Sequence, residues 1–165
     1  MASGAAFSAV VLACGFLLPP LALPTTNMMA DRLAFAARAD LFVALWLLAS
    51  VAAVAKGRFF SPQDIAGSGF GEPTPTIAAG RAVVQNTHEQ ATLAVIAHLA
   101  LATLLPFRLL GLIPLLVVLF CIGRLTFWLG YQRGAAARAF GFATTFYPTA
   151  MALVVALVMV VVLGV

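Results

Sequence analysis

"MALVVALVMVVVLGV", residues 151–165, runs fifteen residues without one polar side chain. A helix on the surface of a water-soluble protein needs a polar face; one that is apolar all round is either fully buried or spans a membrane. The rest of the chain decides between the two. Of its 165 residues 64% are hydrophobic and only 8% charged, and mean hydropathy is +1.11. Soluble domains carry roughly a quarter charged residues. At one domain's length, this composition cannot supply a hydrophilic surface. The sequence describes an integral membrane protein.

Working outward from that segment, five apolar stretches can be read, at about 4–23, 33–55, 82–105, 109–131 and 139–163, each near the ~20 residues that cross the hydrocarbon layer as helix. Period-two alternation is absent, which argues against a barrel. Backbone polar groups in lipid must be satisfied within their own segment, so the fold class is an all-α membrane bundle. The first stretch, "GAAFSAVVLACGFLLPPLALP", lacks the preceding Lys or Arg of a secretory signal. It is expected to be a retained helix that ends near Pro19 and Pro20. The domain division is therefore 1–32, an extra hydrophobic helix with its connector, and 33–165, a four-helix transmembrane domain.

Basic residues give the orientation. Lys56, Arg58, Arg81, Arg133 and Arg138 share one side and outnumber Arg32, Arg38 and Arg108 on the other, so the first group is expected in the cytoplasm. The net charge of +4 comes from scattered helix-end residues suited to lipid headgroups, with no basic run calling for nucleic acid. Cys14 and Cys121 both lie in apolar stretches, as small buried thiols. No metal cluster is expected: His88 and His98 have no second ligand at suitable spacing and read as hydrogen-bonding histidines. Asp40, with Arg38, reads as a marker of the membrane boundary.

The loop 56–76, "KGRFFSPQDIAGSGFGEPTPT", is too rich in Pro and Gly to continue either neighbouring helix. "SPQD" looks like a helix or turn start, with Ser61 as the cap. "GSGFG" superficially resembles a phosphate loop, but no strand precedes it and no Gly-Lys-Ser follows. The short connection "PFRLLG" makes the helices on either side antiparallel neighbours.

Against this background "GRAVVQNTHEQATLAVIAHLALATLLP", residues 80–106, is unusual. Asn86 and Glu89 lie about 60° apart on one helical face, with Gln85, Gln90 and Arg81 nearby. A carboxylate in a membrane segment is costly and calls for an inward position with a partner. The fourth apolar stretch offers one. Arg124 and Tyr131 are seven residues apart, hence on one face, and Arg124 lies too deep to remain unpaired. Glu89 is its expected counter-ion. Arg81, Arg124, Arg133 and Arg138 together could hold a small molecule bearing several carboxylates, since the guanidinium fork binds carboxylates bidentately.

These stretches resemble the MAPEG family, the membrane-associated proteins of eicosanoid and glutathione metabolism. "RAVVQNTHE" supplies the family's Arg and Asn-x-x-Glu as Arg81, Asn86 and Glu89; "RLTFWLGYQRGAAAR" supplies Arg124, Tyr131 and Arg138. The likeness extends over about residues 33–163. It implies a four-helix protomer in a homotrimer, of a bacterial type in the inner membrane. Glutathione would bind between subunits near the cytoplasmic face, at Arg81, Gln85, Asn86, Glu89, Arg124 and Arg133. Arg138 would stabilise its thiolate beside Tyr131, and a lipophilic small molecule would arrive from the membrane lipids. The activity implied is that of a glutathione-dependent transferase or peroxidase. Two differences favour a non-catalytic relative that binds lipid or a partner helix. Arg81 stands five residues before Asn86 rather than four, and Phe127 occupies a position where several members have Tyr or His. A proton relay through Glu89 is a third reading, weakened by the lack of a second buried acid.

Overall fold

The computed structural model of the chain describes residues 1–67 and 70–164. Five helices succeed one another in alternating direction: α1 (Ala2–Leu17), α2 (Met29–Phe59), α3 (Pro75–Leu104), α4 (Leu112–Tyr131) and α5 (Ala135–Leu163), with a single 3₁₀ turn at Phe107–Gly111 before α4. Among the described residues there is no strand. The expected all-helical bundle with an additional N-terminal helix is what the chain forms. Ser68 and Gly69 of "GSGFG" lie outside the described residues.

Among the described residues, three helices are long and apolar enough to cross a membrane: Met29–Phe59, Phe107–Tyr131 and Ala135–Val162. Helix α1 is apolar but shorter, at 16 residues. Helix α3 has the length, 30 residues, and is not among them because Arg81, Gln85, His88 and Glu89 crowd its first half. Outward side chains suit lipid. Leu41, Phe42, Leu45 and Leu48 on α2 and Val154, Leu157, Val158 and Val161 on α5 are all exposed, which fits the polar-free terminal segment.

Local chemistry sets the helix ends. Thr74 caps α3, its hydroxyl accepting from the Ile77 N–H at 3.4 Å, with Pro75 in the first turn, where its missing N–H costs nothing. Gly134 takes φ 99° in the turn between α4 and α5, a conformation that other residues rarely adopt. At the far end of α3, buried Arg32 donates from Nε to the Ala102 carbonyl at 2.7 Å and from its terminal nitrogen to the Leu105 carbonyl. A helix leaves its last carbonyls unsatisfied, and a cation there also meets the negative end of the dipole. Arg32, grouped by sequence with headgroup-facing residues, is thus a cap for another helix.

Helices α4 and α5 make the most extensive contact, and α2 and α3 form the other close pair; α1 lies against α5 and α4. Helices α3 and α4 do touch, but each has its main partner elsewhere. The α4–α5 crossing depends on the absence of side chains. A Cβ on Gly141 would lie 2.3 Å from the Phe127 nitrogen and 2.5 Å from the Gly123 carbonyl oxygen. Small residues permit such close approach between membrane helices.

The connection from α2 to α3 is tied by Asp64. Its carboxylate accepts from Ser61 Oγ, from the Thr74 N–H at 2.9 Å and from Thr74 Oγ1 at 2.8 Å. The "SPQD" stretch accordingly forms a turn, with the Ser61 hydroxyl accepting from the Asp64 N–H at 3.3 Å.

Two predictions follow from this architecture. Gly141→Ala forces α4 and α5 apart and lowers stability by about 3 kcal/mol or more, as overpacking against immobile backbone does, measurable as a fall in detergent unfolding midpoint. The Asp64 carboxyl is held below its ordinary value of 3.8, chiefly by the Ser61 hydroxyl and further by Thr74 and the Arg58 charge, with burial opposing. A depressed carboxyl stabilises fully above the unfolded value and loses its contribution as pH falls through the folded one. Proteolysis in the α2–α3 connection should therefore stay constant from neutrality down to about 4 and rise only below it; Asp64→Asn should show the raised cleavage at every pH.

Candidate functional site

Arg124 is the largest fully buried side chain of the protein, at 1% exposure. It projects from α4 into the junction with α3 and α5. Its Nη1 donates to Asn86 Oδ1 on α3 at 2.8 Å, and its Nη2 to Thr145 Oγ1 on α5 at 2.7 Å. The guanidinium carbon lies 4.5 Å from the Phe127 ring centroid and 5.9 Å from that of Phe120, within cation–π range. Thr145 can accept because it donates backwards along α5, to the carbonyls of Gly141 and Phe142 at 3.0 Å. The close α4–α5 approach at Gly123 and Gly141 is what brings Thr145 within reach.

Among the described residues no carboxylate pairs with Arg124; the buried Asp40 carboxylate instead meets His98 Nδ1. Glu89, expected to be the counter-ion, is exposed, and its Oε1 accepts from Gln85 Nε2 at 2.9 Å. The reason is angular. Asn86 lies at the edge of the buried face of α3, and a further 60° carries Glu89 over that edge to the outside. Arg81, Gln85, His88 and Glu89 form a continuous exposed polar face on α3. Arg133 is exposed beyond the end of α4.

The structure therefore divides the expected set. Asn86, Tyr131 and Arg138 meet in a cavity of about 310 Å³, with Arg124 beneath. Its other walls are Ala82 on α3, Phe127 on α4, Ala135, Ala139 and Phe142 on α5, and Met1 at the start of α1. The half-buried Arg138 stacks its guanidinium 4.4 Å above the Tyr131 ring, and Tyr131 meets Phe127 edge-on at 5.5 Å. Since arginine only donates, Asn86 must turn its oxygen towards Arg124. Its NH₂ group is left for a ligand. A buried guanidinium contacted by neutral oxygens alone, with a second guanidinium at the rim, makes the cavity electropositive, and an anion is the species it stabilises. Tyr131 also lines a second cavity, of about 350 Å³, between α2, α3 and α4.

Two features were missed in the sequence. Thr145 sits in "GFATTFYPTA", where nothing separates it from the adjacent Thr144 except helical phase. Asp40 does not mark a membrane boundary. It is buried on α2 and meets His98 Nδ1 on α3 at 2.5 Å, so His98 is the hydrogen-bonding residue expected while Asp40 is its unexpected partner. An acid inside an apolar stretch was itself the signal. Gln90, also buried, turns its Oε1 to the same interior without a partner among the described residues. No group of His, Cys, Asp and Glu among the described residues could hold a metal ion.

The MAPEG family model matches residues 33–158. Transmembrane protein 79 of Mus musculus and that of Bos taurus are each 38% identical to the chain over 79 residues, covering 48% of this chain and 20% of the relative. The chain thus spans about a fifth of the length of these curated relatives. No solved structure matches it.

Arg124 is open to a test that separates structure from ligand binding. Arg124→Met removes an unneutralised buried charge but leaves only neutral oxygens, of Asn86 and Thr145, without their donor. Its detergent unfolding midpoint should therefore fall no further than that of Thr145→Val, while affinity for anionic ligands is lost. Thr145→Val leaves a buried donor unpaired and should cost about 1–3 kcal/mol. A midpoint that falls further for Arg124→Met than for Thr145→Val would contradict this account.

Proposed function

The chain belongs to the MAPEG family, and on that premise we propose that it is a glutathione-dependent transferase or peroxidase acting on lipophilic substrates at the membrane. The observation that carries the reading is the cavity in which Asn86, Tyr131 and Arg138 converge above a buried Arg124 that no carboxylate among the described residues neutralises. Glutathione is a small anion with two carboxylates and a thiol. On this reading a carboxylate supplies the counter-charge for Arg124, and the Asn86 amide donates to the peptide.

Arg138 and Tyr131 occupy the rim. Stacking on the Tyr131 ring fixes the plane of the Arg138 guanidinium and leaves its N–H edge free. A thiol of ordinary pKa near 8.5 is mostly protonated at neutral pH, and an adjacent cation shifts it towards the reactive anion. The thiolate sulfur then bonds to an electrophilic carbon as the leaving group departs, or to a peroxide oxygen as the O–O bond breaks. Tyr131 is the hydroxyl in reach to donate to the sulfur or to the departing group.

The exposed residues enter at the next level of assembly. In a homotrimer, Arg81, Gln85 and Glu89 would face an adjoining subunit and Arg133 the cytoplasmic mouth, from which they reach the same glutathione. A polar helix face is costly against lipid, and a neighbouring copy removes that cost. The basic end of the bundle lies in the cytoplasm of a bacterial inner membrane, and residues 1–32 are an addition to the family domain at 33–165.

Phe127 supports a second reading, a non-catalytic member that binds lipid or a partner helix. Its ring is engaged with Arg124 and offers no hydroxyl to a ligand.

Glutathione binding by the detergent-purified protein, followed with thiolate absorbance, separates the two. Arg138→Ala should leave binding within a few-fold but reduce kcat/KM by about 10²–10³, the usual effect of removing one charge-stabilising donor. The apparent thiol pKa should rise towards that of free thiol. Binding without any thiolate signal in the wild type favours the non-catalytic reading, and no binding at all overturns both glutathione roles.

A further inference from the structure

Helix α1 lies outside the residues matched by the family, yet Met1, which precedes its first turn, lines the cavity. Its seam with α5 is unusually close. A Cβ on Gly4 would stand 2.6 Å from the Phe140 carbonyl oxygen, 2.9 Å from Ala143 Cβ and 3.0 Å from Thr144 Oγ1. Ser8, one turn on, is buried and donates to the Gly4 carbonyl at 2.9 Å, so its polarity is satisfied within α1. Phe7 packs against Phe140 with ring centroids 6.0 Å apart. Among the described residues, no side-chain hydrogen bond joins α1 to another helix. The other walls differ: α3, α4 and α5 are bound to one another through Arg124.

We propose that α1 is a built-in wall of the site that restricts its acceptor to compact electrophiles. This rests on the reading of the cavity as a thiol site. Pockets for small organic ligands occupy roughly 300–1,000 Å³, and this one, at about 310 Å³, is at the lower end. The acceptor needs room beside Arg138, and on that side the cavity is bordered by Met1, held in place by the seating of α1 on α5. Of the four walls, α1 alone is held by apolar contact without a polar tie, so it is the one that yields when a wider molecule is to be admitted. The width of the acceptor is thus set by how firmly Gly4, Phe7 and Ser8 seat the helix on α5.

The test displaces α1 in the full-length protein. Gly4→Leu introduces a side chain into backbone at the seam, and Phe7→Ala removes a seam contact without adding bulk, which covers the case in which Gly4→Leu does not fold. In a background of Cys14→Ala and Cys121→Ala, Ala139→Cys places a thiol in the cavity, and its labelling rate with a bulky, membrane-impermeant maleimide reads the wall directly. Labelling should rise about tenfold in Gly4→Leu and by a smaller factor in Phe7→Ala, as overpacking or loosening opens a locally weak contact. In the cysteine-containing parent, Gly4→Leu should raise kcat/KM for a polycyclic aryl chloride relative to a compact one, with glutathione affinity retained. Unchanged labelling in both folded variants, or equal changes for compact and polycyclic acceptors, overturns the proposal. Labelling decides the position of the wall whether or not glutathione binds, so failure of the thiol-site reading is seen separately, as absence of glutathione binding in the wild type.

Discussion

A single guanidinium in the dry interior organises the functional end of this bundle. Among the described residues no carboxylate reaches Arg124, so its partners are neutral groups at the right height on its own helix and on its neighbours. Asn86 supplies an amide oxygen from α3, Thr145 a hydroxyl from α5, and Phe120 and Phe127 supply ring faces from α4 itself. Those contacts fix the mutual rotation of three helices. They also explain the glycines of the α4–α5 crossing, since a hydroxyl as short as that of threonine reaches Arg124 only if the two backbones nearly touch. The cavity above is a consequence: with Arg124 anchored below, Asn86, Tyr131 and Arg138 have little choice but to converge.

The opposite half of the bundle is fastened by other means. Arg32 crosses from α2 to the terminal carbonyls of α3, and Asp40 and His98 join the same two helices inside the apolar layer. Membrane helices gain little from burying apolar groups against each other, because lipid is equally apolar, and polar contacts of this kind give the interface its specificity. Helices α2 and α3 are pinned at two depths, α3, α4 and α5 at one, and α1 by shape alone. That ranking of attachments is what makes α1 separable from the rest.

The helices were legible in the sequence because hydrophobicity in a membrane is a nearly sufficient signal for them, and Pro19 and Pro20, the Pro- and Gly-rich loop 56–76 and the short "PFRLLG" connection mark several of the ends. Part of the site was legible too. A spacing of seven put Arg124 and Tyr131 on one face, and depth in an apolar stretch sent Arg124 inward. The partner of Arg124 could not be found this way. Helical phase says that Asn86 and Glu89 are close, but not on which side of them the bundle begins, and a boundary fell between the two. Phase within one helix is equally silent about Thr145 and about the meeting of Asp40 with His98, since both depend on how two helices are rotated against each other. An opposite charge is the partner one looks for in lipid; the protein uses a neutral amide, a hydroxyl and two rings.

Tyr131 lines two cavities at the same end of the bundle and at the same time supports Arg138. One side chain is therefore partition and platform together. Evolution could not enlarge either chamber by trimming residue 131 without also unseating the cation beside it, so chamber size and the seating of Arg138 are not independently adjustable at this position. Diversification of the chamber has to come from the other walls, the small alanines of α5 and the helix that leans on them.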